Sequence, residues 1–542
     1  MKKIYPFVLL VAVIFSCDWK QENPGFERNI LINSDSEQLS KRISIQDAGV
    51  VNLLEPNTPN GRISEDEIPA GKIPMILVAQ AEGPTHNGKA LRATHVDIDG
   101  DYAFVSYNKE GEEFLGAVEI YNISEPTKPK ITAQAIFTTA DINALKFHEG
   151  RLHIAAAFDV DAEREINTAA QYLSVSVGNG QFTSDFVKSD LEGFAGTGIT
   201  YTNSHAAVSS GNDGIVALFD ASHNRIASTP ISDLRDVAYG NNTLAALSGE
   251  EGVVLMNPTN LNALSKINLE KDTPNSKRTM DINGDLLFTS EGAKGAGIYS
   301  LPSGALVEKI AIASNPEGVE EGDIVTNAVS FDEGLLMMAN GGAGVEVVEI
   351  TANNTTETLG IISLSGSSNF VKLKGKHLFV ASGSKGLQIL ELERSTSQPL
   401  PGINCDDLTP YRGSNNLNVN SNDVMRYSGS AALSNLNVNG TLTFCGSMAV
   451  QDNMNINSNG FFEMSGSFSF GRYQGNSRLN INNNSVLKIS GSAVIYGDLT
   501  LNSGATIEFV GQGTSITIYG KVTKNNNVTI KGDFIDTEGK LK

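Results

Sequence analysis

The longest apolar run at the start of this chain is too short to cross a bilayer as a helix. The N-terminal apolar run, Ile4 to Phe15, holds about twelve residues, whereas a helix spanning ~30 Å needs about 20. Long helical periodicities are almost absent, while glycine is abundant at 53 and proline modest at 17. That argues against a helical protein and predicts an all-β chain with many turns. Bases are short too: 40 Lys and Arg stand against 61 Asp and Glu, a formal net charge of −21. An acidic body repels nucleic acid and anionic membrane surfaces, so neither is expected as a partner. The imbalance is uneven, because acids and bases are ten each from Gly402 onward and the whole excess lies before that point.

Catalytic signatures are missing as well. There is no His-Glu-x-x-His, no Gly-x-Ser-x-Gly elbow and no phosphate loop ending in Lys-Ser or Lys-Thr. His148-Glu149 with His153 has a metal-site composition, but it lies across a predicted hairpin rather than on one helical face. Asp97, Asp99 and Asp101 alternate around Gly100 and read as residues in and beside a turn, with no distal Glu to complete a calcium loop. No metal and no cofactor is expected, and no catalytic residue is assigned.

What is present begins at the N-terminus. Met1-Lys2-Lys3 is a basic start, the apolar run follows, Ser16 is the small residue before a cleavage point, and Cys17 comes next. This resembles a bacterial lipoprotein signal, although Phe15 is bulkier than usual there; the resemblance implies a lipidated Cys17 and export. Asp18-Trp19-Lys20-Gln21-Glu22 is similar to the surface-export signals of Bacteroidetes-type lipoproteins, which implies the outer face of the outer membrane. Residues 18–70 are rich in Asn, Ser, Glu, Pro and Gly and read as a mostly mobile tether, with a short helix near Glu37 to Ile45. With Cys17 lipidated, Cys405 and Cys445 remain as an even pair whose spacing allows a disulfide at the entry to the last domain.

Residues 71–394 repeat one pattern: apolar strand, turn with Gly or Asn, apolar strand, short loop, Gly, apolar strand. Copies start at Val96, Leu145, Val237, Met280, Val329 and Val371, with a weaker one at Ile199. The spacing is that of four-stranded propeller blades, and seven are counted. The last copy lacks a fourth strand while Ile76 to Gln80 stands alone before the first, so their pairing would close the ring. Gly116-Ala-Val-Glu-Ile-Tyr-Asn-Ile-Ser-Glu-Pro-Thr-Lys-Pro129 resembles the LVIVD-repeat propellers of bacterial surface proteins. That resemblance implies fold and says little about chemistry.

Two positions before the first apolar residue of each inner strand stand Thr94, Asn143, Thr197, Arg235, Arg278, Asn327 and Asn369. In a propeller this register places seven polar residues around one mouth of the axial channel, a ligand site suited to an anion, a sugar or a peptide end. Asp236, beside Arg235, joins them, and Arg235-Asp236 with Arg278 is the only hint of an enzyme.

Residues 395–415, with Pro399 and Pro401, read as a linker, and residues 416–542 carry a second repeat. Its starts are Leu417, Leu436, Met454, Leu479 and Leu499, at spacings of 19, 18, 25 and 20, each alternating apolar residues with Asn or Thr. Gly-Ser corners follow, and 22 asparagines fall between Gly402 and Lys542. Rungs of this length stack at ~4.8 Å with their apolar faces joined inside, which predicts a short β-solenoid with asparagine ladders. The pattern is similar to bacterial β-helix stalks and polymer-forming solenoids. Together these features lead to an expectation of a lipid-anchored envelope protein: a non-enzymatic binding or adhesion platform for glycan, matrix or protein. The alternatives are a polysaccharide-active enzyme at the propeller mouth and a periplasmic assembly scaffold.

Overall fold

The computed structural model describes residues 29–45, 48–51, 53–54, 72–163, 165–270, 277–316, 318–351, 353–392, 405–472 and 476–542. The expected signal segment 1–17, with Cys17, and much of 18–70 lie outside them. The chain is all-β: a seven-bladed propeller followed by a β-solenoid of about six turns.

Each blade is an antiparallel meander whose first strand is innermost. Blade 1 runs Arg92–Asp99, Tyr102–Asn108, Gly116–Asn122 and Lys130–Phe137. The inner strands of the following blades are Ala140–His148, Gly196–Tyr201, Leu234–Gly240, Met280–Asn283, Ala328–Asp332 and Phe370–Lys374. They touch one another in a closed circuit, that of blade 7 against that of blade 1. Blade 7 takes its fourth strand from the other end of the domain: Met75–Ala81 pairs antiparallel with Leu387–Leu392, from Leu387 against Ala81 to Leu392 against Met75. Every residue of Met75–Ala81 is buried, which explains why it reads as a continuous apolar run rather than an alternation.

The repeated glycine before the third strand has a physical cause that also marks the closure. Gly252, Gly295, Gly344 and Gly386 all have φ between +69° and +84°, where an L side chain is strained. A Cβ on them would sit 2.3, 2.0, 2.2 and 2.0 Å from the carbonyl oxygens of Ile267, Ile310, Ile362 and Ala81. The first three oxygens end the fourth strands of blades 4, 5 and 6. Ala81 therefore holds in blade 7 the place those residues hold in theirs, although it comes from the N-terminal side of blade 1.

The segment expected as a tether contributes strands where it is described. Ile30–Asn33 pairs with Lys130–Phe137 on the rim of blade 1. Ile43–Ser44 and Gly49–Val50 pair with Met75–Ala81 on blade 7, and Leu53–Leu54 with Thr356–Ile362 on blade 6. These pieces form a belt that runs backward over three consecutive blades and covers their outer edges. The expected helix near Glu37 to Ile45 is shorter, Ser36–Leu39 followed by a 3-10 turn, with Asp35 capping it by accepting from the Gln38 amide at 3.0 Å.

In the solenoid the rungs stack in parallel and in register. One inward column is Leu417, Leu436, Met454, Leu479, Leu499 and Val522. The 25-residue spacing between Met454 and Leu479 leaves this register intact, so the additional residues lie between rungs' paired strands. Asparagine side chains form three ladders along the outside. Asn418, Asn437, Asn455 and Asn480 are joined amide to amide at 3.0, 3.0 and 2.9 Å. Asn439, Asn457, Asn482, Asn502 and Asn525 follow at 2.9, 3.2, 2.8 and 2.8 Å; Asn416, Asn435 and Asn453 make the third. At the entry, Cys405 is disulfide-bonded to Cys445, and Thr409–Pro410 pairs with the first long strand, so residues 405–410 of the expected linker already belong to the solenoid.

A face of small residues seats the solenoid on the propeller. Ala449, Ser469, Val494 and Thr517 are buried there, and Val494 and Tyr496 join the core cluster of blades 6, 7 and 1. Tyr519 donates to the carboxylate of Glu391 in blade 7 at 3.1 Å, and Val50 of the belt donates to the carbonyl of Gly471.

Gly386→Ala tests the ring closure. Both Gly386 and Gly375 have positive φ, but a Cβ on Gly375 meets nothing within 4 Å. Calorimetry is expected to show Gly386→Ala less stable than Gly375→Ala by on the order of 2 kcal/mol. Equal losses would mean that Ala81 is not packed against this turn.

Candidate functional site: the axial channel

The inner strand of a blade is a sheet edge, so its free amides and carbonyls face the axis and need partners. The polar residues at the mouth supply many of them. In blades 1 to 4 the ring positions are the extra residues of β-bulges: the register slips between Ala93 and His95, Ile142 and Ala144, Gly196 and Gly198, and Leu234 and Asp236. Thr94, Asn143, Thr197 and Arg235 are the skipped residues. In blades 5 to 7 the equivalent Arg278, Asn327 and Asn369 stand just before the strand.

The structure brings these seven residues to one level of the channel, and much of their bonding runs from blade to blade. Asn143 donates to the carbonyl of Gly196 at 2.8 Å, Asn327 to Ser368 at 3.3 Å, and Asn369 to Ala93 at 2.8 Å across the closure between blades 7 and 1. Thr94 donates to the carbonyl of Ile142 at 3.2 Å. Thr197 stays within blade 3, bonded to Ser209, and Arg235 reaches Asp233 at 3.0 Å. Arg278 is 2% exposed and its Nε donates to the carbonyl of Ser290 at 2.8 Å. This ring is therefore largely a set of clasps rather than a crown of side chains reaching into solvent.

Acids clasp the levels beyond it, Asp236 nearest the ring and Asp97 and Asp281 two residues further along their strands. Asp97 accepts from the amide of Phe147 at 2.8 Å, Asp236 from Met280 at 2.8 Å and Asp281 from Phe331 at 2.9 Å, each from one blade to the next. Asp97 also meets Lys146 at 3.3 Å, so it serves the channel rather than the turn at Gly100. Burial raises Asp236 to about 7, against the pull of the amides of Met280 and Val237 and of Lys277. Lys372 is lowered by burial, but Asp281, Asp97 and Asp332 outweigh that and hold it above the ordinary value.

Two channel residues, Lys277 and His95, escaped the sequence reading. Lys277 precedes Arg278 and reaches across the axis to the carbonyls of Thr94 at 2.8 Å and Asn143 at 3.1 Å. Burial lowers it to about 8, partly offset by Asp236. His95 packs on Phe370 with ring centroids 3.8 Å apart, and burial with Lys277, Lys372 and Lys146 nearby pushes it well below its ordinary value. The available signal was a lysine beside one ring position, legible only once the channel is known to be narrow.

A second polar cluster lies in the seam between blades 2 and 3. His153 bonds the Tyr172 hydroxyl at 2.7 Å, His223 bonds Ser174 and Ser189, and Arg151 donates to Ser174 and Ser176 at 2.7 and 3.1 Å. His148 and His153 both lie against the ring of Tyr201, at 3.9 and 5.1 Å. Among the described residues no three His, Cys, Asp or Glu side chains gather as a metal site, and no helix is long and apolar enough to cross a membrane.

No protein-family model matches the chain, and no curated protein matches its sequence. Solved propellers are similar to it in shape. The RRP9 WD40 repeats are 12% identical at a TM-score of 0.44, over 57% of this chain and 96% of that one. The WD40 propeller domain of Doa1 is 9% identical at 0.42, over 60% and 97%. A catalytically inactive virginiamycin B lyase from Staphylococcus aureus, with quinupristin, is 14% identical at 0.41, over 57% and 97%. At these identities the likeness is one of fold.

The seam between blades 2 and 3 sets an acid limit. Burial, with His223, Arg151, His148 and Lys146 around it, lowers His153 to about 3, and burial with Arg151 lowers His223 to about 4 against the opposing pull of Asp220. Below pH ~6.5 the unfolded chain binds protons at these imidazoles more readily than the folded one. Their contribution is thus complete above that pH and lost as pH falls toward 4 and then 3. Melting temperatures of the wild type and a His153→Gln, His223→Gln double variant should converge on acidification, because the wild type loses more. Parallel profiles between pH 7 and 4 would contradict this.

Proposed function

We propose that this protein is a lipid-anchored component of the bacterial envelope that acts as a non-enzymatic binding platform, presented on the cell surface for glycan, matrix or protein ligands. The observation that supports it best is the joint between the domains. The solenoid lays its small-residue face on blades 6 and 7 and leaves the asparagine ladders outward, so one broad, regular, hydrogen-bonding surface is held rigidly on a propeller. The channel favours binding over catalysis, because Asp236 already serves the Met280 amide and Arg278 the Ser290 carbonyl. A general acid or base needs such groups within reach of a substrate.

In this reading Cys17 carries the lipid and the belt shortens the leash. Ile30 already lies on blade 1, so 12 residues separate it from Cys17, a span of at most about 45 Å when fully extended. The platform then sits close to the bilayer rather than at the end of a long tether.

Protease shaving of intact cells, followed by blotting for the solenoid, tests the reading. The solenoid signal is expected to disappear, and Cys17→Ala is expected to release the protein in soluble form. A solenoid protected until the envelope is opened would remove the adhesion role and favour a periplasmic scaffold.

A further inference from the structure

The mouth of the channel gathers groups from four blades around one atom of a fifth. Lys277 Nζ donates to the carbonyl oxygens of Thr94 and Asn143 at 2.8 and 3.1 Å, lies 5.7 Å from the centroid of the Phe370 ring, and has Asp236 as its favourable opposite charge. Thr94 and Asn143 are bulge residues, so their carbonyls stand outside the regular ladder. Carbonyl oxygens, an aromatic face and a carboxylate together are the groups that recognise an ammonium ion. They belong to blades 1, 2, 7 and 4, and the lysine to blade 5. The other channel lysines are held differently: Lys146 pairs with Asp97, and Lys372 is stabilised by Asp281, Asp97 and Asp332.

We propose that the channel mouth is a binding site for a primary alkylammonium group, filled by the chain's own Lys277, which an amine from outside enters by displacing it. The receptor groups lie on blades other than the lysine's own, so removing the Lys277 side chain leaves the receptor's four contributing residues in place. Because Lys277 is covalently tethered, it competes at a high effective concentration, and outside amines meet a closed site unless they are abundant or Lys277 is withdrawn. Lysine side chains of partner proteins and free small amines share this chemistry. The inference does not depend on surface exposure or on glycan binding, and either can fail without the other.

The full chain carrying Lys277→Ala is the test, with n-propylammonium chloride and Nα-acetyl-lysine methylamide as probes and n-propanol as the uncharged control. Melting temperature and saturation-transfer NMR are the readouts. The variant is expected to melt below the wild type and to be restored saturably by the amine but not by propanol. Half-saturation should come at a concentration at least tenfold lower than any response of the wild type. Adding Phe370→Leu should weaken the amine response several-fold. A response to both probes supports the site and assigns it to lysine side chains, whereas a response to propylammonium alone supports it for free amines. If the alanine variant does not fold, Lys277→Leu, which keeps apolar bulk but brings no donor to the two carbonyls, gives the same reading. A folded variant with no saturable, amine-specific response overturns the proposal.

Discussion

A propeller can close its ring and still leave seven sheet edges pointing at the axis, and the need to satisfy those edges shapes the centre of this molecule. The amides of Phe147, Met280 and Phe331 are met by Asp97, Asp236 and Asp281 from the preceding blade. Asn143, Asn327 and Asn369 do the converse and donate to carbonyls of the following blade. Backbone bonds add to this at Thr326 to Gly292 and Ala93 to Gly383, the latter across the closure. Every such bond joins neighbours, so the same side chains that satisfy edges also set the spacing of the blades. Water is a poor substitute in a narrow channel, which is why the residues are polar although several are nearly inaccessible.

Much of the fold was legible because each part repeats. Hairpin alternation located the inner strands, and the unpaired Ile76 to Gln80 pointed to the closing strand, because a ring with one strand missing and one left over has a single economical pairing. The solenoid followed from Leu and Val alternating with Asn at near-constant spacing, since only stacked rungs bury one set while exposing the other. The belt was not legible: Ile30–Asn33 and its successors are two to four residues long, too short for a periodicity, and they gain their order from edges supplied by the blades. Composition alone made them look like a tether.

The ring residues were legible as positions but not as roles. Thr94, Asn143, Thr197 and Arg235 do share one register, and that register is a β-bulge, which no single copy of the repeat announces. A polar residue at a bulge reads the same whether it faces a ligand or a neighbouring blade. Lys277 and His223 were passed over for a related reason, because their partners come from other blades and become visible only once the ring is closed. The resulting molecule couples two rigid bodies: a propeller locked at its axis and rim, and a solenoid locked to it through Val494, Tyr496 and Tyr519.

The account rests on the carboxylates of the channel being blade clasps. Native-state hydrogen exchange resolved at the amides of Phe147, Met280 and Phe331, in the wild type and in Asp97→Ala, Asp236→Ala and Asp281→Ala, tests that most directly. Each amide should be protected to the level of its blade's ladder in the wild type and lose protection only in the variant lacking its own carboxylate. Wild-type amides that exchange at the rate of exposed turns, or protection unchanged by removing the carboxylate, would contradict it.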